Sequence, residues 1–186
     1  MAESDGDESL HLIPCRTEVR NPGFDWESTW SKARMSGLGS ELISFLFKVL
    51  HDLLPTQERI ARTNPAVNGD CKLCIHNVKE DLVHALFRCP GNHGIVQSVL
   101  DCLPLLTGVQ DQDVLHLQID LEDQLQLPVV FVLAVAWSSI WESRRVGRRP
   151  ELYKVRAELE ARVSLLRETR RHAEAAVIIK SIISNL

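Results

Sequence analysis

CKLCIHNVKEDLVHALFRC, residues 71–89, holds Cys71, Cys74, His84 and Cys89 in the order Cys-x2-Cys-x9-His-x4-Cys. Three thiols and one imidazole at this spacing are a donor set for a single tetrahedral zinc ion. Two thiolates two residues apart can bind one ion from a single turn, and the second pair must come from the following element. Four protein ligands complete the shell and leave no position for a substrate water, so the zinc is expected to be structural. His76 and His93 are alternative imidazoles. His76 lies in the expected turn and His93 lies beyond Pro90-Gly91, which favours His84. Buried free thiols are the plain alternative, and a redox Cys-x2-Cys is disfavoured because no βαβ pattern surrounds it.

Outward from this stretch, the chain reads as mostly α. Asn68-Gly69-Asp70 is a turn signal before the first thiol, so a small zinc-knuckle β hairpin is expected over Cys71 to Asn77. A short helix is expected from Glu80 to Phe87, with Phe87 on its inner face. Upstream, Leu42, Phe45, Leu46, Val49, Leu50 and Leu53 recur at helical spacing, predicting a helix over 40–54 capped by Ser40 and stopped by Pro55. Thr56 is placed to cap a second helix, Gln57 to Thr63. Downstream, Ile95, Val96, Val99, Leu100 and Leu103 predict a helix ended by Pro104, and a short one is expected near Val114 to Gln118. Pro128 opens a strong helix to about Arg145, broken by Gly147-Arg148-Arg149-Pro150. From Glu151 one helix is expected almost to the end, with Leu152, Val155, Leu159, Val163, Leu166, Ala173 and Val177 on one stripe. The last two helices should pair as an antiparallel hairpin. The segments are then an acidic disordered tail (1–22), a helical zinc-binding module (23–106), an acidic connector (107–126) and a C-terminal helix hairpin (127–186).

Composition bounds the function. The chain has 186 residues, is 45% hydrophobic and 25% charged, and has a net charge of -4, which argues against a strongly basic nucleic-acid binder. The charge is uneven: residues 101–126 carry six acids and no Lys or Arg, whereas the C-terminal stretch is Arg-rich. Arg144, Arg145, Arg148 and Arg149 crowd one helix end, where they either hold phosphates or complement the helix dipole; interspersed acids favour the second. Trp137 and Trp141, one helical turn apart, read as core. Met1 to Ser9 is acidic and polar, unlike a secretory leader, so the expected location is intracellular, nuclear or cytoplasmic, and not secreted. The apolar run Leu127 to Ile140 is short for a bilayer span of about 20 residues, and no membrane role is expected. Cys15 and Cys102 stand apart as plain thiols.

Residues 26–100 resemble the zinc-binding domain downstream of the reverse transcriptase in LINE-like (non-LTR) retrotransposon polyproteins. The resemblance rests on Trp30, on the apolar helix ending in His51, on Leu54-Pro55-Thr56 and Arg59, and on the Cys-x2-Cys pair with Glu80, His84 and Cys89-Pro90. LYKVRAELEARVSLLRETR, residues 152–170, also looks like the far C-terminal tail of such polyproteins. One departure is Ile75, where a Gly-like turn former commonly follows the second Cys; Asn77 then has to supply the turn. There is no Tyr-x-Asp-Asp signature and no carboxylate set for two-metal phosphoryl transfer, so no enzyme activity is expected. The resemblance implies a module that holds RNA or DNA. Its phosphate contacts would be Arg59, Arg62, Lys72, Lys79 and Arg88. The other reading is a structural or protein-interaction module, with a partner or self-association through the C-terminal helix.

Overall fold

The computed structural model describes residues 25–35, 37–74, 77–166 and 170–186. The expected tail over 1–22, Cys15, Phe24, Ile75 and His76 lie outside them. The architecture is mostly helical: α1 (Trp26–Met35), α2 (Ser40–Leu50), α3 (Gln57–Thr63), a π-helical turn (His84–Arg88), α4 (His93–Asp101), a 3-10 turn (Pro104–Leu106), α5 (Asp111–Leu115), α6 (Asp123–Arg145), α7 (Leu152–Leu165) and α8 (Arg170–Asn185). At the knuckle one isolated antiparallel bridge pairs Asp70 with Lys79, and there is no strand among the described residues.

The central helix is α6. It is apolar on every side from Leu127 to Trp137, and all of those residues are buried. By length and composition it would cross a bilayer. Here α1, α2, α4, the π turn, α7 and α8 pack around it. A helix apolar all round is satisfied only when covered on all sides. The buried apolar residues from 33 to 183 form one core, so the zinc-module segment and the C-terminal helices share it. Phe87 packs edge-on against Trp137, with ring centroids 5.6 Å apart. Trp26, Trp30, Phe47 and His51 form an aromatic stack, whose two tryptophans pack against this core.

Helix ends explain most departures from the sequence reading. Helix α2 begins at Ser40 with Gly39 as its N-cap, and it stops at Leu50 rather than at Pro55. Asp52 takes the left-handed conformation (φ 51), and the Asp52 and Leu53 N–H groups return to the Val49 and Lys48 carbonyls. This is a Schellman stop, which satisfies the last carbonyls before the proline is reached. The same motif closes α6: Gly147 has φ 69, its N–H donates to the Arg144 carbonyl, and the Arg148 N–H donates to that of Ser143. Thr56 caps α3 by accepting from the Arg59 N–H, as expected.

The final helix is two helices, so α6, α7 and α8 pack mutually as three elements instead of one hairpin. The break shifts the phase of the apolar stripe. Val155, Leu159, Val163 and Leu166 are buried as expected, but Val177 is 69% exposed, and Ala175, Ala176, Ile179, Ile182 and Ile183 take the inner face. The acidic connector is held against α1: Thr29 donates to the His116 carbonyl, and Lys32 to those of Leu117 and Ile119.

Gly37 joins α1 to α2 with φ 69, and a Cβ there would lie 2.6 Å from Leu166 Cδ2. Gly37→Ala is expected to cost about 1–3 kcal/mol in thermal or denaturant unfolding, from backbone strain and the collision with a buried leucine. Unchanged stability would mean that the α7–α8 junction yields freely.

Candidate metal centre

Cys71, Cys74, His84 and Cys89 come together with their ligand atoms all within 4.8 Å of one another. The separations have the size of a coordination shell. With Zn–S of about 2.3 Å and Zn–N of about 2.0–2.1 Å, tetrahedral edges are about 3.8 Å for S–S and about 3.6 Å for S–N. Cys71 Sγ and Cys89 Sγ lie 3.7 Å apart, and Cys74 Sγ and His84 Nε2 lie 3.6 Å apart. A disulfide would need about 2.0 Å between sulfurs. The four residues therefore fit one zinc ion through three sulfurs and Nε2. His93 is exposed at the start of α4 and outside the cluster, so the choice falls on His84.

Local structure aims each ligand. At the knuckle, the Cys71 N–H donates to the Val78 carbonyl and the Glu80 N–H to that of Gly69, and Asn77 is left-handed with φ 49. The Leu73 N–H approaches Cys71 Sγ at 3.4 Å. The other two ligands depend on the π turn. In an α-helix, residues five apart point about 140° away from each other. Here the Cys89 N–H bonds to the His84 carbonyl, an i→i+5 link. The wider turn brings His84 and Cys89 onto one side. Asp81 caps it, accepting from the His84 N–H at 2.6 Å. The Ala85 carbonyl would next need the N–H of residue 90, which is proline and has none. The Asn92 side-chain amide donates to that carbonyl instead.

Arg144, from the last turn of α6, is the residue the sequence reading did not place at the site. Its side chain is 3% exposed. It forms an ion pair with buried Glu80, and it donates to Cys71 Sγ at 3.2 Å and to Asn92 Oδ1 at 3.3 Å. Glu80 in turn accepts from the Gln57 N–H at the start of α3. A zinc ion with three thiolates carries one net negative charge, so a buried cation beside the sulfurs stabilises it. Only the buried position of Arg144 near the end of an otherwise apolar helix distinguishes it, and in sequence it is one of four clustered arginines.

The ionisation of the ligands suits metal binding. Burial, the largest influence, lowers the His84 pKa below its usual 6.5, and the Arg144 charge lowers it further; Asp81 and Glu80 pull weakly the other way. For Cys71, burial is the largest single influence and pushes the thiol up. The Leu73 N–H, the Arg144 guanidinium and the Cys74 N–H together outweigh it and hold the pKa below 9.0. Both shifts favour the ligating form, neutral imidazole and thiolate. In the metal-free chain each adds stability that is present above the unfolded value and is lost as pH falls through the lower folded one. Protons compete with zinc in the same direction. Zinc titration against a chromophoric chelator at stepped pH is expected to show affinity falling about tenfold or more per pH unit below about pH 6.5. A flat profile would contradict Cys3His ligation.

Residues 16–95 match a family model described as zinc-binding in reverse transcriptase. This segment, under half of the chain, is similar to a reverse-transcriptase-associated zinc-binding domain. It takes in all four ligands and ends within α4, so Arg144 is outside the match. No curated protein and no solved structure matches the chain.

Four of the five basic residues expected to meet phosphate have partners within the chain. Arg62 pairs with Glu58 at 2.7 Å, Lys79 with Asp70 at 2.7 Å and Arg88 with Asp111 at 2.6 Å. Arg59 donates to the Asp52 carbonyl. Arg59 and Arg62 line a polar depression together with Asp52, Glu58 and Asp81. Such exposed pairs are individually weak, but each carboxylate cancels part of the local positive field. Lys72 is exposed and has no ion-pair partner among the described residues.

Proposed function

We propose that the protein is a zinc-stabilised nucleic-acid-binding module derived from the C-terminal part of a LINE-like retrotransposon polyprotein, without catalysis of its own. The observation that carries this reading is the Cys3His cluster within the segment that matches the reverse-transcriptase zinc-binding family. A shell closed by four protein ligands suits a metal that holds a fold and does not activate water. The partner is RNA or DNA, held mainly through phosphate. Binding of zinc-loaded protein to single-stranded RNA and DNA across a salt series tests this. The expected result is an affinity that falls linearly on logarithmic axes with salt. Affinity no steeper in salt than that of an unrelated acidic protein would remove the proposal. An in-frame polymerase upstream in the genome would support the retrotransposon origin.

The alternative, a protein contact through the C-terminal helices, draws on exposed Tyr153, Leu165 and Val177. Light scattering over a range of concentrations tests its self-association form. A constant monomer mass would exclude that form.

A further inference from the structure

The cleft beside the zinc cluster differs from the rest of the surface. It lies between α3, the knuckle and the C-terminal turn of α6, with a volume of about 440 Å³. That is within the about 300–1,000 Å³ usual for small-molecule sites. Its apolar walls are Pro55, Ile60, Leu73, Trp141 and Val146. Arg144 and Gln57 also line it, and each has one atom buried beneath its surface, Nε and Oε1, with no close hydrogen-bond partner among the described residues. One is a donor and the other an acceptor.

The rim is basic. Lys72 and Arg145 line the cleft, and the exposed residues Arg148 and Arg149 follow on the same turn. Arg145 shares its charge with Glu142, while the Arg144 charge is matched by Glu80. Among the described residues Lys72, Arg148 and Arg149 make no close ion pair, although Arg148 lies near enough to Glu151 to help lower its pKa. Of Arg59, Arg62, Lys72, Lys79 and Arg88, the residues expected to meet phosphate, Lys72 lies on this rim.

We infer that this cleft takes single-stranded nucleic acid, with one base between its apolar walls and the flanking phosphates on Lys72, Arg145 and Arg148. This rests on the nucleic-acid reading above and gives it a place. Apolar walls that include Trp141 suit the face of an unstacked base, which a duplex does not present. Cations at the rim suit the backbone on either side. The cleft joins the family-matched segment, through Pro55 to Leu73, to the end of α6, which the match does not reach.

Fluorescence anisotropy of the full-length, zinc-loaded chain with short labelled oligonucleotides tests it. Lys72→Glu and Arg148→Glu are each expected to weaken RNA or DNA binding about tenfold at low salt, and to flatten the salt slope by about 0.7 for each phosphate that is no longer neutralised. An abasic DNA backbone of equal length is expected to bind about tenfold more weakly than the same strand with bases. Arg156→Glu, a remote surface change on α7, should leave binding unaltered. RNA and DNA arms read which sugar is preferred, and either preference supports the cleft. If Arg62→Glu and Arg88→Glu abolish binding while Lys72→Glu and Arg148→Glu do not, the cleft is overturned and nucleic-acid binding stands. Equal binding of the abasic strand overturns the base pocket. Equal binding of a poly-glutamate peptide overturns a nucleic-acid occupant. No binding by the unmodified protein removes the parent proposal and the cleft with it.

Discussion

Stripping zinc with a strong chelator is expected to unfold residues 55–100, and Cys71→Ser or His84→Ala is expected to do much the same. The reason is how little else orders the knuckle. Between α3 and the π turn the described residues hold one β-bridge, and Lys72, Asn77, Val78 and Lys79 are exposed. The ligands come from two separate elements, so without the ion the knuckle is tied to the π-turn side mainly by Arg144, which bridges Cys71, Glu80 and Asn92. Structural zinc contributes an apparent binding free energy of about 10–16 kcal/mol in small zinc modules at neutral pH, and binding there is coupled to folding. Hydrogen exchange at the Cys71 and Glu80 amides, whose bonds close the knuckle, reads the effect directly. Both amides should lose protection, while α6, α7 and α8 keep part of their helical signal. Full protection after chelation, or pure protein carrying well under one zinc per chain, would contradict the structural metal.

Arg144→Met is expected to destabilise the zinc-loaded protein by about 3–5 kcal/mol, because it strands the buried Glu80 carboxylate without its cation. It also removes the side-chain donors to Cys71 Sγ and Asn92 Oδ1. Lysine should not rescue it, since one ammonium cannot reproduce a guanidinium fork that reaches three acceptors. Arg144→Met with Glu80→Gln should recover part of the loss, because no unpaired charge is then left buried. Denaturant unfolding with zinc in excess measures all three variants. A cost below about 1 kcal/mol would put the pair on the level of an exposed surface ion pair.

The metal ligands were legible because their chemistry is local. Cys-x2-Cys puts two thiols in one turn, and few residue types bind zinc. Helix positions were legible because apolar period and caps are short-range signals, as Thr56 and the α2 stripe illustrate. What went unread has longer range. The expected single final helix has an unbroken apolar stripe in sequence, but the stripe changes phase at its break, and Val177 turns outward. The expected short α-helix before Cys89 is a π turn, since only an i→i+5 turn faces His84 and Cys89 the same way. Helix α2 stops short of the obvious breaker, at an aspartate in the left-handed conformation.

Ligand identity, the mostly helical class and the break at Gly147 follow from residue types and spacings within one or two turns of chain. The buried role of Arg144 does not. It lies 73 positions from Cys71 and 64 from Glu80. In sequence it is indistinguishable from Arg145, Arg148 and Arg149. Only the packing of α6 through the common core carries one of these four arginines to the thiolates and leaves the other three exposed. Burial selects among them because a desolvated guanidinium is stable only where carboxylate, sulfur and amide oxygen meet it together, and that meeting is made by the fold.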